Sequence, residues 1–185
     1  MRLCLVLCAS ACLTGCGQDQ HLGRSLTETQ DKLTARVQKV DVSKAPPDLP
    51  IPKNPPKQID IQKVLAESAK IKDLKIVDVV VGSGKLVEPG KYVSVHYVGV
   101  LPDGYLFDTS FKGESQPFTF VYSPSQPKVI EGWMRGLEGM RVGGHRKLTI
   151  PSSLAYAANP PAGSPIPPNS ALIFDIQLMF VSDTE

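Results

Sequence analysis

Downstream of Lys75 the apolar residues of this chain fall into short strand-like segments, and they take helical spacing only once, between Val129 and Met140. Strand side chains alternate between faces, whereas a helix face repeats every three or four residues. The first strand is Ile76-Val77-Asp78-Val79-Val80-Val81, closed by Gly82-Ser83-Gly84. A second alternates Val93, Val95 and Tyr97 against Ser94, His96 and Val98; a third is Pro117–Tyr122, with Phe118 and Phe120 on one face. Two more run from Arg146 to Ile150 and from Ala171 to Val181, the last with Leu172, Phe174, Ile176, Leu178 and Phe180 aligned. The helical face is Ile130, Trp133, Met134, Leu137 and Met140. Glycines 132, 136 and 139 make that helix weak by itself, so tertiary packing must hold it. The resulting expectation is an α+β fold, an antiparallel curved sheet wrapped around one short helix.

Turn chemistry punctuates the strands at Glu88-Pro89-Gly90 and Pro102-Asp103-Gly104. The second turn lies within VHYVGVLPDGYLFDTS, Val95 to Ser110, which brings two tyrosines, a phenylalanine and an acid into one strand–turn–strand unit. Phe107-Asp108 suits an apolar pocket with one polar contact. It equally suits a hairpin whose aromatics fill a core while Asp108 caps a turn. Residues 151–170 form a long loop dense in proline, alanine and glycine.

With 185 residues the chain accommodates one domain plus extensions. A net charge of +2 without a basic, aromatic-interleaved stripe argues against nucleic acid as a partner. His21, His96 and His145 lack metal-ligand spacing, and Gly82-Ser83-Gly84-Lys85 matches neither the GxxxxGK[ST] nor the GxGxxG phosphate loop. No G-x-S-x-G hydrolase elbow is present, and no cofactor is implied.

All four cysteines, Cys4, Cys8, Cys12 and Cys16, precede residue 17. Arg2 and the apolar run Leu3–Leu13 have the form of a signal peptide, too short to span a bilayer comfortably. Leu13-Thr14-Gly15-Cys16 resembles the lipobox of bacterial lipoproteins, which implies cleavage before Cys16 and its acylation. Several acyl chains anchor stably where one is marginal. Ordinary secretion with cleavage after Ala9-Ser10-Ala11 is the competing reading. Under either reading the globular part has no disulfide and no cysteine nucleophile. Gly17 after Cys16 leans by the same resemblance toward the periplasmic face of the outer membrane.

Leu22, Leu26, Leu33, Val37 and Val40 outline a weak amphipathic helix, read either as a homodimerisation element or as a partly helical tether. PPDLPIPKNPP, Pro46 to Pro56, is an extended spacer. Ile61, Val64, Leu65 and Ala69 give a second helical pattern, either packed on the domain edge or solvated. The expected organisation is a signal peptide at 1–15, a lipidated Pro-rich spacer at 16–74 and a folded domain at 75–185.

Taken in order, VHYVGVLPDGYLFDTS, PFTFVY, VIEGWMRGLEGMRVGGHRKLTIP, LAYAA and PPNSALIFDIQLM resemble the FKBP-type peptidyl-prolyl cis-trans isomerases from about Lys75 to Val181. The resemblance implies a half-barrel whose bowl binds proline-containing, unfolded or partly folded polypeptides and macrolide immunosuppressants. It implies Trp133 as the floor, with Phe107, Phe120, Phe174, Val129 and Ile130 as walls beside Tyr97. Asp108 then either faces the bound carbonyl region or orients Tyr97, Tyr156 donates its hydroxyl to a substrate carbonyl, and the Ile130 N–H is a second donor. Phe118 is assigned to support. The alternative is a non-catalytic chaperone or proline-peptide-binding module using the same bowl. The chain departs from the family pattern at Tyr156-Ala157, where many relatives have Tyr-Gly, and at Leu154, where an aromatic is common. The loop NPPAGSPIPP carries extra proline and one extra residue, which bears on substrate selectivity.

Overall fold

The computed structural model describes residues 49–111 and 115–182. The chain divides into two units, Met1–Val40 and Asp41–Glu185, and everything below concerns the second. The signal peptide, Cys16, the His21–Val40 helix and the start of the Pro-rich spacer lie outside the described residues.

A helix α1 (Ile61–Ser68) precedes strands β1 (Lys75–Val80), β2 (Tyr92–Val100), β3 (Leu106–Thr109) and β4 (Phe118–Val121). Helix α2 (Glu131–Leu137), β5 (His145–Ile150), a 3-10 turn (Ser152–Leu154) and β6 (Leu172–Ser182) complete the order. The strands form one antiparallel sheet, β1-β5-β6-β2-β3. Strand β4 shares an edge of β2 with β3: β4 pairs Tyr92–Val95 and β3 pairs Val98–Val100. The two halves of β2 are thereby covered by different partners on this edge.

Two departures from simple alternation have a physical cause. In the β2–β6 ladder Ser94 opposes Phe180 while Val95 opposes Leu178, leaving Met179 as an extra residue. An extra residue inverts side-chain parity beyond it. The buried series Leu172, Phe174, Ile176, Leu178 therefore continues to Val181, and Phe180 is only half-buried. Strand β6 is also covered on its other face: Asp175 is buried and contacts His145 Nε2 and Lys147 Nζ, each at 3.3 Å.

Helix α2 is short because it is fitted, not autonomous. Its glycines form the face that meets the sheet. A Cβ on Gly132 would lie 2.3 Å from Ile150 Cγ2, and one on Gly136 2.4 Å from Leu148 Cδ1. Absence of side chains at this four-residue spacing lets the helix backbone descend onto β5. Arg146 then secures its C-terminal end: Nη1 donates to the carbonyls of Gly136 and Glu138, while Nε and Nη2 engage the Asp78 carboxylate. These bonds satisfy carbonyls that a helix terminus leaves open, and they pair a buried guanidinium.

Upstream of the sheet, the chain packs against it rather than only spacing it. Asp60 caps α1 by accepting the Lys63 N–H, and Val64 is fully buried in the core. Ser68 Oγ accepts the Ala171 N–H at 2.8 Å, and Leu49 is also buried. Ile61 and Leu65 remain exposed, so only one edge of the helical pattern is used.

Candidate functional site

A cavity of about 230 Å³ opens beside α2. Trp133 is its floor: the side chain projects from α2 and is only 4 % exposed. Tyr97 and Phe174 stand nearly perpendicular to the indole, each with ring centroids 5.2 Å away. Phe107 meets Phe174 edge-on at 5.5 Å. Edge-to-face rings add attraction beyond buried area and fix one another's orientation. Gly99 makes room for them, since a Cβ there would sit 2.8 Å from Phe107 Cζ and 2.9 Å from Phe174 Cε1.

Val129, Ile130 and Tyr156 also line this cavity, with Asp108, Phe118 and Lys128. Of the residues assigned to the bowl by resemblance, all except Phe120 thus converge. Phe120 is buried behind it, stacked on Phe118 with centroids 5.5 Å apart. Phe118, assigned to support from sequence, is 41 % exposed and lies in the wall. Register explains the exchange: Phe118 opposes Val95, next to Tyr97 on the same face, whereas Phe120 opposes Val93, farther along β2. Lys128 escaped sequence reasoning altogether. Its one signal was position, immediately before Val129-Ile130.

The polar groups divide into internally satisfied and available ones. Tyr97 donates its hydroxyl to Asp108 Oδ2 at 2.6 Å, and the other Asp108 oxygen accepts the Thr109 N–H at 2.9 Å. Burial, then the bond to Asp108 and its charge, push the Tyr97 phenol well above the ordinary tyrosine range. Burial and the Asp108 charge also raise Tyr156. Both hydroxyls therefore remain donors. That of Tyr156 makes no hydrogen bond among the described residues, and neither does the N–H of Ile130, which precedes the first turn of α2. The buried Trp133 Nε1 likewise has no hydrogen-bonding partner.

The Tyr156 loop is held at both ends. Ala157 N–H donates to the Ser152 carbonyl, Asn169 N–H donates to the Ala157 carbonyl, and Ile166 is buried in the core. Ala157 adopts φ 48°, a left-handed conformation that favours glycine.

A larger cavity of about 350 Å³ lies between α1 and residues 151–153, lined by Leu65, Ser68, Lys72, Ser152 and Asn169 among others. No aromatic ring lines it, so it lacks the apolar floor and enclosing rings of the Trp133 bowl. Among the described residues there is no cluster of His, Cys, Asp and Glu able to hold a metal ion, and no helix long and apolar enough to cross a membrane.

Residues 83–179 match the profile of the FKBP-type peptidyl-prolyl cis-trans isomerases, over half of the chain. The FK506-binding protein of Neisseria meningitidis serogroup B is 45 % identical over 108 residues, covering 58 % of this chain and 95 % of that protein. FK506-binding protein 4 of Aspergillus fumigatus is 44 % identical over 110 residues, covering 60 % of this chain but 21 % of that protein. The chain thus spans about a fifth of the longer fungal relative. Among solved structures, that of AtFKBP13 superposes with a TM-score of 0.53 at 35 % identity, covering 59 % of this chain and 93 % of that one.

Proposed function

This chain belongs to the FKBP-type peptidyl-prolyl cis-trans isomerase family, and we propose that it accelerates rotation about Xaa-Pro bonds in unfolded or partly folded polypeptides. The observation that carries this reading is the convergence of Tyr97, Phe107, Phe174 and Tyr156 over the buried Trp133 indole.

Rotation about an amide crosses a barrier of about 18–20 kcal/mol, set by resonance between nitrogen and carbonyl. No bond breaks, so neither nucleophile nor cofactor is required. The planar amide is strongly dipolar and well hydrated; the twisted amide has lost resonance and depends less on water. An apolar bowl therefore disfavours the starting state relative to the transition state. The proline ring rests on Trp133 between the flanking rings, which removes water from the nitrogen. The Tyr156 hydroxyl and Ile130 N–H hold the flanking carbonyls, while Asp108 fixes the Tyr97 ring. Lowering the barrier by about 4 kcal/mol already accelerates rotation about a thousandfold.

The test is isomerisation of Xaa-Pro peptides by the purified chain. Acceleration supports the enzyme. Suppression of aggregation without acceleration would instead identify a binding module or chaperone.

The Leu13-Thr14-Gly15-Cys16 sequence supports lipid attachment at Cys16 and a place in the bacterial envelope, and Gly17 after it supports the periplasmic face of the outer membrane. Proline isomerisation is slow enough to limit folding, which fits a role in maturation of exported proteins. Fractionation of a Cys16→Ser variant tests the anchor, whose absence would show as unchanged membrane association. The name shared by the relatives supports macrolide binding in the same bowl; competition between a macrolide and a proline peptide tests it. The segment His21–Val40 is the candidate for weak homodimerisation, tested by sedimentation with and without it.

A further inference from the structure

We infer that Lys128 makes this site selective for clients with an acidic residue next to the proline, an inference that rests on the isomerase reading and names its substrate class. Lys128 is the one cation in the cavity wall among the described residues, and its side chain is exposed. It forms no ion pair or hydrogen bond among them. Of the nearby acids, Glu131, three residues on, is paired with Arg135, and Asp108, in the same wall, accepts from the neutral donors of Tyr97 and Thr109 and forms no ion pair with Lys128.

Position adds to charge. Lys128 leads directly into Val129 and Ile130, both in the wall, and Ile130 offers the backbone donor described above. A polypeptide whose proline occupies the bowl must pass this mouth, so its flanking side chains come within reach of the ammonium. A carboxylate there meets an ammonium without an ion-pair partner among the described residues, and a lysine or arginine meets a like charge. Aromatic walls select the proline ring but are indifferent to the charge of its neighbours; Lys128 supplies that discrimination.

The experiment measures kcat/KM of the full chain on matched peptides with Glu, Ala or Lys before proline, and a second set with these residues after it, at low salt and at 1 M salt. An exposed pair predicts about a two- to fivefold preference for the Glu peptide over the Lys peptide in at least one set. The preference should vanish in Lys128→Gln, reverse in Lys128→Glu, and fade at high salt. A Glu-to-Lys ratio that is the same in wild type and both variants overturns the inference. The Ala peptide reports on the isomerase reading separately. Should no peptide be turned over, that reading fails, and the same ordering is read from binding by fluorescence of Trp133, the chain's single tryptophan. Charge-ordered affinities that follow residue 128 then support the inference, and affinities blind to it overturn it.

Discussion

The Tyr97 hydroxyl and Asp108 Oδ2, on adjacent strands β2 and β3, are 2.6 Å apart, joining a half-buried tyrosine of the bowl to its one acid among the described residues. The bond fixes a ring that stands against Trp133, so Asp108 acts on the bowl's shape as well as its charge. Asp108→Ala leaves the half-buried Tyr97 hydroxyl without this acceptor. A charge-assisted hydrogen bond of about 1.5–3 kcal/mol predicts a fall in kcat/KM of about tenfold or more, with a loss of thermal stability. Isomerisation assays beside calorimetry check it. An unchanged rate would remove Asp108 from the machinery.

Tyr156→Phe should separate the two effects. Its hydroxyl has no internal partner to lose, so stability stays near wild type while kcat/KM falls about two- to tenfold, as for one neutral hydrogen bond. Equal losses of stability and rate would contradict a substrate-facing role.

Ala157 provides a stability test in the same loop. A non-glycine residue at φ 48° is strained by about 1–2 kcal/mol, and glycine relieves this while adding about 0.5–1 kcal/mol of unfolded-state entropy. Ala157→Gly should therefore raise Tm by about 1–4 °C. A lower Tm would show that the strain is compensated locally.

Gly136→Ala tests the fitted helix. Helix propensity favours alanine by about 1 kcal/mol, but overpacking against Leu148 costs about 1–3 kcal/mol. The variant should be destabilised on balance, and combining it with Leu148→Ala should cost less than the two losses added. Additive losses would mean that the two residues do not compete for space.

His96 predicts a pH dependence. Its ring stacks on Phe111 with centroids 4.7 Å apart, and burial lowers its pKa below the ordinary value of 6.5. Above that pH the ring is neutral in both folded and unfolded chains and contributes no slope. Below it the unfolded chain binds a proton that the folded chain resists, so stability falls as pH falls. Urea titrations between pH 7 and 5 should show this decline, and His96→Gln should flatten it.

The elements and the residue types of the bowl are legible in local sequence alone. Alternation and one change of period locate the strands and α2, because backbone geometry imposes those repeats locally. The ordered motifs around Tyr97, Trp133 and Phe174 carried the family and most of the site. What depended on distant partners was not legible. The glycines of α2 read as weakness until Ile150 and Leu148 showed them to be a contact face. Parity along β6 reversed at Met179 because a bulge is a relation between two strands. Phe118 and Phe120 are alike in sequence, and only their register on β2 put one in the wall and the other behind it. Whether α1 packed or stayed solvated turned on Val64 and on the bond from Ala171 to Ser68, 103 residues apart in sequence. Local periodicity names the parts; long-range packing alone decides which of their faces meet, and so which residues become the site.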